Sequence, residues 1–244
     1  MKRQAWKRMQ AWLLVVAMLV SVVTGIGTTK TAKAATKMGV TYTVHVQTYG
    51  DQQGWVHDGT MAGTKGQAKR LEEIRVKLTG DEYSGSIQYK THIQSYGWQD
   101  WSYNGEKSGS RGQAKRLEGI EIQLTGEVAK HYDVVYRVHC QTYGWMDWVK
   151  NGVMAGTSGQ AKRLEAIRIL LYGEMAEHYD IYYRVHAQSF GWLSWAKNGE
   201  ASGTAGLAKR LEGIQIILVP KGSPEPGRTY DNITATNTVS FIRR

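Results

Sequence analysis

The 244-residue chain has one cysteine, three prolines and two phenylalanines. A lone Cys140 cannot close an intramolecular disulfide, so whatever this chain folds into is held by its core and its hydrogen bonds. The three prolines, Pro220, Pro224 and Pro226, all fall near the C-terminus and leave the preceding residues free of that breaker. No apolar run reaches the ~20 residues that a membrane-spanning helix needs. Several catalytic signatures are absent too: Gly-x-Ser-x-Gly, His-Glu-x-x-His, and a phosphate-cradling glycine loop that leads into a helix.

Charge of one sign is abundant only at the start. Lys2, Arg3, Lys7 and Arg8 precede an apolar stretch from about Ala11 to Ile26, and Ala32-Lys33-Ala34 offers small residues before Ala35. This pattern predicts a secretory signal peptide over 1–34. The leader holds six of the cations behind the formal charge of +10, so the processed chain carries +4. That is too mild and too dispersed to indicate a nucleic-acid partner.

What the chain has in excess is repetition. His45, His92, His139 and His186 recur at an interval of 47, and Leu71, Leu117, Leu164 and Leu211 follow at 46, 47 and 47. A fixed period of this length marks a repeat architecture whose units share one core. The repeats are assigned to 35–82, 83–128, 129–175 and 176–219, followed by a Pro/Gly linker and tail over 220–244.

Within a repeat the opening segment alternates, with Tyr136, Val138 and Cys140 on one strand face and Arg137, His139 and Gln141 on the other. Val46, Ile93 and Ala187 replace Cys140 elsewhere, which makes the cysteine a small buried hydrophobe rather than a nucleophile paired with His139. Asn104-Gly105, Asn151-Gly152 and Asn198-Gly199, with Asp58-Gly59 in the first copy, supply tight hairpin turns. The closing segment places Ile167, Ile169 and Leu171 two apart, again a strand, and Gln160-Ala161-Lys162-Arg163 leads into it in extended form. The expected fold is therefore all-β: four antiparallel repeats in a closed, propeller-like ring, with a β-trefoil or β-prism of three repeats plus one as the alternative.

The combination of His-x-Gln, Gly-Trp-x-x-Trp, Asn-Gly, Ala-Gly-Thr and Arg-Leu-Glu-x-Ile-x-Ile-x-Leu over roughly 40 to 220 resembles the ChW repeats, named for a clostridial, hydrophobic pattern marked by tryptophan. The resemblance implies a secreted or surface protein whose repeats bind polysaccharide or other proteins, and it implies no common enzymatic activity.

Four groups of recurring residues are candidates for the site. Trp98, Trp145 and Trp192, absent from the first copy, are either stacking platforms for sugar rings or core, with Asp100 and Asp147 beside them as hydrogen-bonding partners and Ser194 in the fourth copy. Trp55, Trp101, Trp148 and Trp195 occur in every copy and read as structural. His45, His92, His139 and His186 share a face with Gln47, Gln94, Gln141 and Gln188, favouring a satisfied polar network over a ligand platform. Arg70, Arg116, Arg163 and Arg210 stand two residues from Glu72, Glu118, Glu165 and Glu212, favouring ion pairs. The alternative uses the adjacent Lys69, Lys115, Lys162 and Lys209 as a basic rim for an acidic polymer. The symmetric carboxylates do not match the single asymmetric pair of a glycosidase, and one histidine per copy matches no zinc spacing. The expectation is a non-catalytic protein without metal or cofactor, binding extracellular polysaccharide or cell-wall glycan, or alternatively another surface protein, with no nucleic acid and no membrane after signal cleavage.

Overall fold

The computed structural model describes residues 38–51, 53–80 and 83–244. The expected leader over 1–34 lies outside the described residues. Four antiparallel sheets are arranged in a ring, as a four-bladed propeller. Each sheet is built on one long hairpin-like pair from a single repeat: Gly39–Val46 with Leu71–Thr79, Gly85–Ile93 with Leu117–Gly126, Tyr132–Cys140 with Leu164–Gly173, and Tyr179–Ala187 with Leu211–Pro220. Short strands from the tryptophan loop and the hairpin after it pair with the free side of the opening strand, as Gly144–Trp145 and Val149–Lys150 do in the third repeat.

A blade is not a repeat. The Ala-Gly or Ser-Gly element of each repeat leaves its own sheet and pairs with the closing strand of the repeat before it. Ser108–Gly109 joins the first sheet, Ala155–Gly156 the second and Ser202–Ala205 the third. Ala62–Gly63 of the first repeat completes the fourth sheet and so closes the ring, opposite Ile214 and Gly213. Crossing requires an absent side chain: at Gly63 (φ +117) a Cβ would lie 2.4 Å from Glu212 O, and at Gly156 (φ +123) 2.5 Å from Glu118 O.

The ring is also stitched by tyrosines. Tyr42, Tyr89, Tyr136 and Tyr183 are buried between adjacent blades, and each hydroxyl accepts the backbone N–H of the preceding repeat's closing strand: Ile216, Val76, Ile122 and Ile169 respectively. Each hydroxyl then donates to a hairpin carbonyl in its own repeat, on Thr60, Glu106, Val153 and Glu200. The apolar positions of the closing strands, including Leu124, Ile169, Leu171 and Leu218, fill the shared core with Ile87, Tyr132 and Ile181. Cys140 is fully buried in a separate cluster with Tyr136, Val138 and Ala155, and burial pushes its thiol up to about 11.

Three features depart from the sequence reading. Two one-turn helices, Val128–His131 and Met175–His178, connect successive repeats and anchor Val128 and Met175 in the core. Gln160-Ala161-Lys162-Arg163 is a bent loop rather than an extended lead-in: Ala161 has φ 56, and the equivalent Ala68, Ala114 and Ala208 do the same. Finally, the Pro/Gly stretch does not stand off the ring as a free linker, while of the edge strand or mobile tail open to residues 230–244 it is the strand that forms. The segment 220–244 folds back across the fourth blade, forms a small hairpin of Thr229–Tyr230 with Ile233–Thr234, and ends as Phe241–Arg243, parallel to Ser202–Ala205.

Candidate functional site

In the second, third and fourth blades the face of the opening strand that points away from the tyrosines carries an aromatic cradle. In the second blade Lys90 Nζ lies 5.2 Å from the Trp98 ring centroid and 5.0 Å from that of Trp101, while 3.0 Å from Glu121 Oε2 on the facing strand. In the third, the Arg137 guanidinium is 5.1 Å from Trp145 and 4.6 Å from Trp148, and Arg168, directly across the strands, is 4.7 Å from Trp145. In the fourth, Arg184 is 5.6 Å from Trp192 and 4.5 Å from Trp195. A cation between two indoles is attractive by about 0.5–2 kcal/mol per contact, depending on desolvation. Both tryptophans of a repeat thus converge on one charge that alternation alone did not assign to them.

The first tryptophan also packs inward. Trp98, Trp145 and Trp192 meet His92, His139 and His186 edge-on at 5.4, 5.5 and 5.6 Å. Their rings lie over a small residue of the closing strand: a Cβ on Gly119 or Gly213 would sit 3.2 Å from the Trp98 or Trp192 ring. In the first repeat Asp51 occupies the tryptophan position and Glu73 the floor, and Arg75 bridges them at 3.9 and 2.8 Å. The loss of the ring and the enlargement of its floor go together, which a pairing across two distant strands conceals in one dimension.

Exposure within the pairs also differs from the reading by position. Trp98, Trp101 and Trp145 are half-buried, whereas Trp55 and Trp148, expected as structural, are 40% and 39% exposed. Trp192, read as either a stacking platform or core, is fully buried, and this removes it from the accessible surface. The cause is the C-terminal segment. Arg184 donates to the carbonyls of Arg228, Tyr230 and Ile233, Trp195 Nε1 donates to Gly227 O, and Thr236 N donates to Trp192 O. Burial lowers the Arg184 guanidinium to about 10, which leaves it charged at neutral pH. In the third cradle the same segment reaches Trp145 through Phe241, with ring centroids 5.7 Å apart, but among the described residues it does not cover the Trp101 and Trp148 ends, and Asp100 and Asp147 are exposed beside them.

The histidine and arginine groups form a separate network. A register shift follows each histidine, so that His45 faces Glu73 but Val46 faces Leu71, leaving Glu72 as the extra residue of a β-bulge. The bulge turns Glu72, Glu118, Glu165 and Glu212 into the interior, 3.6, 3.5, 3.4 and 3.3 Å from the histidine Nδ1 atoms. Gly159 N donates to His92 Nε2 and Gly66 N to His186 Nε2, so both rings carry their proton on Nδ1, towards the carboxylate. Burial lowers His139 and pushes Glu72 and Glu165 up, against the pull of His45 and Arg70 on Glu72 and of Arg163 on Glu165. Arg70, Arg116, Arg163 and Arg210 reach the other carboxylate oxygens at 3.7, 3.0, 3.9 and 3.1 Å. Gln47 and Gln141 accept from Arg70 and Arg163, while Gln94 and Gln188 donate their backbone N–H to Arg116 O and Arg210 O. Among the described residues no group of three His, Cys, Asp or Glu side chains could hold a metal ion, and no helix is long and apolar enough to cross a membrane.

A family model described as Clostridial hydrophobic W matches residues 45–80, 92–126, 139–173 and 186–220. No curated protein matches the chain, and no solved structure does.

Proposed function

Because the chain belongs to the clostridial hydrophobic W family, four of whose repeats make up its ring, we propose that it is an exported, non-catalytic protein that binds extracellular polysaccharide or cell-wall glycan. The contact surface is the pair of open cradles, Trp98, Trp101 and Asp100 on the second blade and Trp145, Trp148 and Asp147 on the third. The observation that supports the reading is the recurrence of one aromatic pair with an exposed carboxylate beside it at equivalent places on neighbouring blades. Indole faces take up the apolar faces of sugar rings, and Asp100 and Asp147 accept hydrogen bonds from hydroxyls. Two weak sites on one rigid body hold a polymer by raising the effective concentration of its second segment.

A second reading is favoured by the fourth blade, where the same cradle is filled by this chain's own backbone, with three carbonyls on Arg184. An extended peptide of a surface protein would fit the open cradles in the same way. The test titrates the protein with soluble polysaccharides, with purified cell wall, and with a synthetic peptide of residues 224–237, following tryptophan fluorescence. Trp101→Ala with Trp148→Ala is expected to abolish polysaccharide binding while the circular dichroism spectrum is kept. Saturable binding of the peptide with no response to any glycan would replace the glycan reading by the peptide one.

A further inference from the structure

At one end of the ring axis the starts of the four closing strands converge on a recess of about 230 Å³, lined by Arg70, Arg116, Arg163 and Arg210 alternating with Leu71, Leu117, Leu164 and Leu211. A recess of this size admits a small polar group and its hydration rather than a folded segment. The charges are layered. The four arginine side chains are 27 to 30% exposed, whereas the carboxylates that pair with them from behind are 0 to 2% exposed. A ligand arriving along the axis therefore meets guanidinium groups first. Outside them stand Lys69, Lys115, Lys162 and Lys209, held by the hydroxyls of Thr48, Ser95, Thr142 and Ser189 at 3.1 to 3.3 Å.

Backbone strain gathers at the same end. Thr48, Ser95, Thr142 and Ser189, whose hydroxyls hold the lysines, have φ of 74, 70, 77 and 69. Ala68, Ala114, Ala161 and Ala208, two residues before each arginine, have φ of 53 to 57. Arg163 and Arg210 donate to Ala208 O and Ala68 O, which belong to the following repeat around the ring. Left-handed backbone is costly for residues with a Cβ, most of all for β-branched threonine, and persists where the surroundings over-determine it. Here it accompanies the convergence of the four arginines on the axis and the fixing of the lysines beside them.

We propose that this axial recess is an oxyanion site that takes a phosphate or sulfate group carried at the end or along the length of an anionic chain. The guanidinium groups supply planar pairs of N–H donors to such oxygens, the lysines add the point charges that draw the chain in, and the leucines exclude water from the walls. The site is separate from the tryptophan cradles and does not depend on what they bind.

The experiment is isothermal titration of the protein with inorganic phosphate, inorganic sulfate and tripolyphosphate at low and raised ionic strength. One equivalent of tripolyphosphate per chain is expected, with affinity falling as salt rises; a response to the free ions as well would show that the group alone suffices. Arg116→Gln with Glu118→Gln removes a cation and its carboxylate together and so leaves no buried charge unpaired; it should weaken tripolyphosphate binding at least about tenfold. Replacing Lys69, Lys115, Lys162 and Lys209 by Gln changes only rim contacts and should weaken it as well, which keeps the test decisive if the first variant does not fold. Trp101→Ala with Trp148→Ala should leave it unchanged. No binding at low salt, several equivalents insensitive to the arginine and lysine variants, or loss in the tryptophan variant would overturn the proposal.

Discussion

Tyr42, Tyr89, Tyr136 and Tyr183 recur at an interval of 47, as regular as the histidines, yet their chemistry is invisible until the ring is assembled. Each phenol replaces a backbone partner at a joint where two closing strands diverge. Removing it leaves a partly buried N–H and carbonyl without their partner, the costly half of hydrogen-bond energetics. Tyr136→Phe keeps the ring and loses the hydroxyl 2.7 Å from both Ile122 N and Val153 O. It is expected to cost about 1–3 kcal/mol in urea unfolding with an unchanged slope. The tryptophans show the same limit of a single residue's identity. Trp148 is open and Trp192 is closed although both sit in the same motif, because exposure depends on what the rest of the chain lays over them.

At the level of elements, the C-terminal segment decides which cradles are open, and Asp180 holds that segment at its root. Its carboxylate accepts from Asn198 Nδ2 at 2.7 Å, Lys197 and Lys221 Nζ at 3.0 Å, and Gly222 N at 3.2 Å. Burial alone would raise this carboxyl, but the hydrogen bonds from Asn198, Lys197, Lys221 and Gly222 outweigh it and hold the group far below the usual range. With a folded value below the unfolded one, the native state binds fewer protons. The stabilisation is present above the unfolded value of about 3.9 and is lost as pH falls through the folded one. Asp180→Asn should therefore cost about 2–4 kcal/mol at neutral pH. The gap between variant and wild type should narrow as chemical denaturation is repeated at successively lower pH below about 4. Amide exchange at 221–237 should rise in the same variant, since the root of the segment is loosened.

For the whole molecule, the ring is closed by exchange of short strands, and its last join brings residues 62–63 to 213–214. Every sheet is therefore incomplete without the next repeat, and an isolated repeat would present an unpaired edge. Gly156→Ala tests such an exchange directly, at the join of the second and third repeats. Its Cβ would collide with the Glu118 backbone of the neighbouring repeat, and the expected outcome is loss of at least about 3 kcal/mol or failure to fold. Gly159→Ala, at φ +66 with nothing within 4 Å, is the matched control and should cost only about 1 kcal/mol, both read from thermal and denaturant unfolding.

The number of units, their period, the strand character of both long segments and the inward faces of Tyr136, Val138 and Cys140 were legible in the sequence. Each rests on local alternation or on comparison of one copy with the next, and neither requires knowing what lies across a gap. The pairing of arginine with glutamate was legible in the sequence, but the histidine was assigned to glutamine rather than to glutamate, since a bulge that inserts Glu72 between Leu71 and Glu73 shifts the faces on which the alternation was counted. The Ala-Gly element was visible as a motif, while its partner was not, because that partner belongs to a different repeat. The sequence by itself determined four β units with an aromatic motif in each, and left a four-bladed ring and a trefoil or prism of three units plus one both open. Only the tertiary structure decided which aromatics are open, where four arginines meet and how the last unit joins the first, since each is a contact between segments far apart in the chain and is set by how the whole ring closes.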